Sequence, residues 1–414
     1  MLAVLISPVL IPDDSIINRS SIKAHVTIRV DMGIFDIFTN FLTSVFIGYL
    51  AFTNTLAEKI ESYLPEQDAV EIATAPEVPP AEQTLSKLTE LSKTLAHGVP
   101  RILLEHAEYQ RAAIYASTRD DEPVDLSGKS LDAIVRDALV NIYCQYKTDR
   151  YIRTTTGTGF FINQKGVIIT NAHVAQFLLL KDAKSSVNDV ECVIRSGEPA
   201  EAKYNAELLY ISPTWIFENA DLITDESPRG TGERDYALLY VSKTLDGSPL
   251  PAHFPVIPVA VDLLSRESAG AKVLTAGYPA EALMRNGADA KLNPVLAATT
   301  VGTLYTFGSN YADIFSISES PVGEQGASGG PIVAEKDSTA IGLIVTKGDE
   351  ETEGAHSLRA LTLSYINRTK TEETGFSLIQ NMQGDIAYRA GIFKEAMVPF
   401  LAQILADDLS TGTD

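Results

Sequence analysis

The sequence predicts a mainly β domain, a sandwich or a barrel, with helical segments before it and a helix after it. Three observations lead there. Short apolar or alternating runs recur after about Leu126, among them "ALVNIYCQY", "GTGFFI", "VECVIRS", "YALLYV", "TTVGTLYTF", "DIFSIS", "PIVAE" and "AIGLIVTKG". Gly, Asn, Asp and Pro punctuate these runs, which is the turn chemistry that many short strands require. No strand-helix alternation of the kind a parallel sheet needs is visible.

Composition allows a sizeable core. The chain has 414 residues, 45% hydrophobic and 21% charged, which excludes global disorder. The formal net charge of -21 opposes binding to phosphate backbones, so no nucleic-acid partner is expected. The two cysteines, Cys144 and Cys192, make neither a disulfide framework nor a metal-ligand spacing. Two buried thiols are favoured over a single bridge.

The N-terminal region divides by texture. Residues 1–31 form an N-terminal segment without a clear element, and Met32 is a second candidate start. Within 32–60, the stretch from Ile37 to Ala57 carries no charge and is long enough to cross a hydrocarbon core as a helix. Arg19, Lys23 and Arg29 precede it and Lys59 follows, a bias that keeps the N-terminus cytoplasmic. A signal anchor is favoured over a cleaved signal peptide and over a buried helix. Residues 61–82 are rich in Pro and Glu and read as an extended linker. In 83–125, Leu85, Leu88, Leu91 and Leu95 recur at helical spacing. Those helices are candidates for packing on the next domain or for self-association into a homo-oligomer. The β-rich domain is expected over 126–368. A C-terminal extension, 369–414, ends in one helix, "EAMVPFLAQILADDLS".

The most telling stretch is "GEQGASGGPIV", Gly323 to Val333. Gly326 to Gly330 fits the G-x-S-x-G nucleophile elbow, but Gly329-Gly330-Pro331 is a poor helix start and no suitable acid-then-histidine order follows. An α/β-hydrolase esterase is therefore disfavoured. Upstream, "GVIITNAHV" puts His173 at the end of an apolar, β-branched run. His25, His97, His106, His253 and His356 lack such a setting. "RDYALLYV" puts Asp235 against a core strand, where a carboxylate needs a hydrogen-bonded partner. A histidine Nδ1–H supplies one. His173, Asp235 and Ser328 thus follow the chain order His, Asp, Ser, which suits a base, its orienting acid and a nucleophile. The backbone N–H groups of Gly326 and Ser328 are candidates for an oxyanion hole, with glycine at 326 permitting the turn.

Together "GTGFFINQKGVIITNAHV", "RDYALLYV", "VLTAGYP" and "GASGGPIV" resemble the motifs of trypsin-like serine proteases, most nearly the bacterial HtrA (Deg) branch. The resemblance covers roughly Ile142 to Gly348. It implies two six-stranded antiparallel β-barrels of the chymotrypsin type, with the triad in the cleft between them. It also implies no metal and no organic cofactor. Ala327 stands where digestive relatives carry an Asp, so zymogen activation of that kind is not expected. The stretch given after Tyr365 is short, so the PDZ domain usual in HtrA proteins is not expected there. By the family's pattern, Val322 sits near the base of the primary pocket, and Thr346, Lys347 and Gly348 pair with the substrate backbone. Thr346 is also placed to hydrogen-bond Asp235 from behind. The segment "SPTWIFENADLITDESPRGTGER" before Asp235 is an insertion with no function assigned.

The expected function is a serine endopeptidase acting on polypeptide through an acyl-enzyme. It is expected to be membrane-anchored with the protease domain extracytoplasmic, in the cell envelope or periplasm. The alternative is a noncatalytic or latent trypsin-like fold that binds peptides or partners.

Overall fold

A computed structural model describes residues 124–147, 152–181, 189–223, 231–280, 283, 290–317, 320–322, 326–347 and 357–411. The expected N-terminal segment, membrane anchor and linker, and nearly all of the helical segment 83–125, lie outside these residues. Among the described residues, no helix is long and apolar enough to cross a membrane.

Twelve strands form two closed antiparallel barrels of six. The first contains β1 (Leu139–Lys147), β2 (Ile152–Asn163), β3 (Val167–Thr170), β4 (Asp189–Ser196), β5 (Glu201–Ile211) and β6 (Ala237–Thr244). Its spatial order is β1-β2-β3-β6-β5-β4. The second contains β7 (Lys272–Gly277), β8 (Val295–Tyr305), β9 (Ile314–Ile317), β10 (Pro331–Ala334), β11 (Thr339–Lys347) and β12 (Leu358–Thr362). Its order is β10-β11-β12-β9-β8-β7. Closure pairs each strand with a neighbour on both sides over most of its length, which limits the edge open to aggregation. It also explains the mixed runs: side chains alternate into and out of each barrel.

The cysteines correct the expectation of two free thiols. β1 and β4 pair antiparallel with Cys144 directly opposite Cys192. The register brings their Cα atoms to 4.1 Å, and a disulfide joins them. Neither the strand pairing nor this register is visible in a sequence separation of 48.

Helices surround the first barrel. Helix α1 (Leu131–Ala138) starts where the Ser130 side chain accepts the Ala133 N–H, and it buries Ile134, Val135 and Ala138. Its outer face carries the Asp132–Arg136 pair one turn apart, at 2.7 Å, a contact of modest weight at the surface. Two short helices, α2 (Ala172–Ala175) and α3 (Phe177–Lys181), follow β3. The insertion before Asp235 opens as α4 (Pro213–Asn219), capped by Ser212 with Pro213 in the first turn. A 3-10 turn (Ala220–Ile223) continues it.

The C-terminal region is more helical than expected. Helix α5 (Leu363–Thr374) begins immediately after β12, so the boundary expected after 368 falls inside a helix. Three more follow: α6 (Leu378–Asn381), α7 (Ile386–Ala396) and α8 (Val398–Thr411). The anticipated single terminal helix is α7's end plus α8, divided at Met397. Pro399 explains the break, since its ring tolerates only the first turn of a helix. Helix α7 packs on β5 and β6, and α8 on α3, α4 and the 3-10 turn. Leu401 and Leu405 are wholly buried there and share one apolar cluster with the first barrel. Full burial of each such leucine contributes about 1.5–3 kcal/mol.

Candidate active site

His173 is placed by the end of β3. That strand is buried throughout, and pairing of Thr170 with Ala237 sets its end beside the start of β6. Asn171 occupies the N-cap position of α2 yet makes no cap hydrogen bond. Its Nδ2 donates instead to the Asp235 carbonyl at 2.8 Å. The two chain segments that carry His173 and Asp235 are thereby tied together before their side chains meet.

The side chains meet by two contacts. Asp235 Oδ2 lies 2.7 Å from His173 Nδ1. Asp235 Oδ1 accepts the His173 backbone N–H at 2.9 Å. The carboxylate side chain is 8% exposed and the imidazole 25%, so the carboxylate faces the interior while one edge of the ring stays reachable. Burial pulls the His173 pKa down, but the Asp235 charge and hydrogen bond outweigh it and leave the pKa raised. The Nδ1 contact favours the tautomer with its proton toward Asp235 and Nε2 free to accept.

Ser328 comes from the loop that opens β10. The loop is locked to β2 by Thr158, a residue that sequence reasoning passed over. Thr158 N–H donates to the Ser328 carbonyl at 2.8 Å. Its Oγ1 donates to the Gly326 carbonyl at 2.6 Å and accepts the Tyr278 N–H at 2.9 Å. Its carbonyl accepts from Thr170 Oγ1 at 2.7 Å. One buried threonine therefore joins the first barrel, the serine loop and the residue just after β7. The signal for it was a polar residue between two glycines at the head of an apolar run, "GTGFF".

The glycines are required by close approach. A Cβ on Gly326 would come within 2.6 Å of the Tyr278 carbonyl oxygen, and one on Gly329 within 2.0 Å of the Thr158 carbonyl oxygen. Both have positive φ, +93 and +86, a region L side chains avoid. Ser328 itself is half-buried, between buried Ala327 and Gly329. Among the described residues, no hydrogen bond joins Ser328 Oγ to His173, and none accepts the backbone N–H of Gly326 or Ser328.

The remaining expected site residues are distributed around this loop. Val322 is fully buried in the second barrel's cluster with Ala327. Thr346 and Lys347 pair with Arg359 and Leu358 of β12. Their other side has no strand partner among the described residues, because the β10 ladder stops at Leu343. Gly348 lies outside the described residues. Both oxygens of the Asp235 carboxylate are engaged by His173. His253 is exposed. Among the described residues, no group of His, Cys, Asp and Glu side chains is arranged to hold a metal ion.

No curated protein sequence matches the chain. Among solved structures, the active form of the Rv3671c protease from M. tuberculosis is similar at 18% identity and a TM-score of 0.36, covering 62% of this chain and 94% of that one. Residues 157–343 match the family model of the trypsin-like peptidase domain. That segment lies within the two six-stranded barrels.

Proposed function

We propose that this protein is a serine endopeptidase in which Ser328 is the nucleophile, His173 the general base and Asp235 its orienting acid. The paired contact of Asp235 with both the ring and the main chain of His173 carries the reading. Ser328 Oγ attacks the carbonyl carbon of the scissile peptide bond, and its proton passes to His173 Nε2. The tetrahedral intermediate places its oxyanion against the N–H groups of Gly326 and Ser328. Collapse breaks the C–N bond, and His173 returns the proton to the leaving amine. Water then hydrolyses the acyl-enzyme by the same proton route. The unpartnered side of Thr346 and Lys347 suits an extended substrate segment, which adds a strand to β11.

The disulfide supports an oxidising compartment, in line with an anchored protein whose protease domain lies outside the cytoplasm. A polypeptide is the substrate, no nucleic acid is bound, and self-association would run through the segment 83–125.

A fluorophosphonate probe tests the reading, because it labels only a serine activated by its histidine. Wild type is expected to be labelled, and Ser328→Ala and His173→Ala are not. A folded wild type that resists the probe would overturn it. The second reading, a latent or noncatalytic fold, is favoured by one observation: Ser328 Oγ makes no hydrogen bond to His173 among the described residues. That reading predicts labelling only after a partner or peptide is added.

A further inference from the structure

Asp235 is held on a turn that its own strand does not explain. Gly232 has φ +83 and Arg234 has φ +55, and a left-handed arginine is a conformation that needs support. The Asp235 N–H donates to the Gly232 carbonyl at 3.2 Å, and the Tyr236 N–H to the Arg234 carbonyl at 2.9 Å. These bonds close the turn but do not anchor it.

The anchor comes from α5, which leaves the second barrel directly after β12. Tyr365, Thr369 and Glu373 are spaced by four residues and line one face of that helix. All three are buried. The Tyr365 hydroxyl accepts the Arg234 N–H at 3.2 Å. The Thr369 and Tyr236 hydroxyls are hydrogen-bonded at 2.9 Å. Glu373 Oε1 accepts from Arg234 Nη1 at 2.8 Å and from Ser212 Oγ at 2.9 Å. Glu373 Oε2 accepts from the Tyr210 hydroxyl. Burial first, then Tyr236 and Glu373, push the Tyr210 pKa well above its ordinary value, so it remains a donor. The stripe therefore grips the residue before Asp235 by backbone and side chain, and the residue after it by its hydroxyl.

We propose that the Tyr365, Thr369 and Glu373 stripe of α5 is a positioning element for Asp235, setting the turn at 232–235 so that the carboxylate meets His173. The inference rests on the reading of His173, Asp235 and Ser328 as a triad. All three stripe residues are buried away from the surface. Each acts through Arg234 or Tyr236. The arrangement also makes the second barrel, through α5, a determinant of a contact made wholly within the first.

The test uses the full chain with Glu373→Gln and Thr369→Val. The first substitution keeps an oxygen for Ser212 and loses the charge that pairs with Arg234. The second removes, of the stripe's contacts to the turn, only the bond to Tyr236. The low-field proton resonance of His173 Nδ1–H reports the bond to Asp235 without turnover. The rate of fluorophosphonate labelling reports the assembled triad. Both variants are expected to shift or broaden the resonance. Labelling should slow by about tenfold or more through the inactivation step rather than probe affinity, as a small misplacement of a catalytic group does. An unchanged resonance in variants that melt cooperatively would reduce the stripe to packing and overturn the inference. If Glu373→Gln does not fold, Thr369→Val decides by the same signal. Failure of wild type to take the probe would defeat the protease reading alone. The resonance would still decide whether α5 positions Asp235.

Discussion

Asp235 engages His173 twice, through Oδ2 to Nδ1 at 2.7 Å and through Oδ1 to the backbone N–H at 2.9 Å. The pair fixes the ring and the chain that carries it. Because the His173 pKa is raised, the neutral base forms only above the ordinary histidine value of about 6.5. Labelling by a fluorophosphonate should therefore rise with pH with a midpoint above that value. Asp235→Asn should lower the midpoint and slow the reaction by about 10⁴-fold, the scale seen for this substitution in another protease. A wild-type midpoint at or below about 6.5 would contradict the pairing. Stability runs the other way. A raised histidine pKa stabilises the fold fully below its unfolded value and loses that contribution as pH rises through the folded value.

Both halves of this pair were legible in the sequence. His173 and Asp235 each sit against a long apolar run, so burial of a polar group next to a core was visible. The strands that place them were visible for the same reason, and most of the quoted runs are strands. β5 was passed over because its first residues, Glu201 to Lys203, are exposed and its alternation begins late. β12 is only five residues long. Helix α5 was missed for a deeper reason. Its buried face includes Tyr365, Thr369, Lys370 and Glu373, so it packs through hydrogen bonds and charge where the periodicity argument looks for apolar residues. The elements that hold Asp235 in place were thus the least legible, because their contacts are tertiary and polar.

Gly329→Ala should both destabilise the protein and abolish labelling. The added Cβ would lie 2.0 Å from the Thr158 carbonyl oxygen and 2.5 Å from Thr170 Oγ1. Neither can easily yield: the two atoms are bonded to each other, and Thr158 is fixed by its own N–H and Oγ1 bonds to the serine loop. Gly128→Ala is the control, with φ +79 and nothing within 4 Å. It isolates the backbone term, about 1 kcal/mol. Urea unfolding should show a loss at Gly329 of at least about twice that. Equal losses would mean that the collision is relieved by movement of the loop.

The disulfide should be measurable as stability. Cys144 and Cys192 are 1% and 4% exposed and close a loop between residues 48 apart. Replacing both by Ala is expected to cost about 2–5 kcal/mol, through greater freedom of the unfolded chain. The urea midpoint of wild type unfolded with reductant should fall toward that of the Ala pair. Identical midpoints with and without reductant would show that the strands are not cross-linked in solution.

Thr158→Val tests the serine loop without touching the triad. Valine keeps the shape and removes Oγ1. That leaves the Gly326 carbonyl, now bonded at 2.6 Å, and the Tyr278 N–H, now bonded at 2.9 Å, without a partner in a buried site. Each unsatisfied group costs about 1–3 kcal/mol. The Thr158 N–H and carbonyl remain, so the Ser328 carbonyl keeps its 2.8 Å bond. Ser328 is then held while Gly326 is released, and the two proposed oxyanion donors lose their fixed relation. Labelling should slow by about 10²-fold or more, the scale of losing one such donor in another protease. Thr158→Ser restores the hydroxyl and should recover most of the rate. Slow labelling in the serine variant as well would assign the effect to lost methyl packing in place of the hydrogen bond to Gly326.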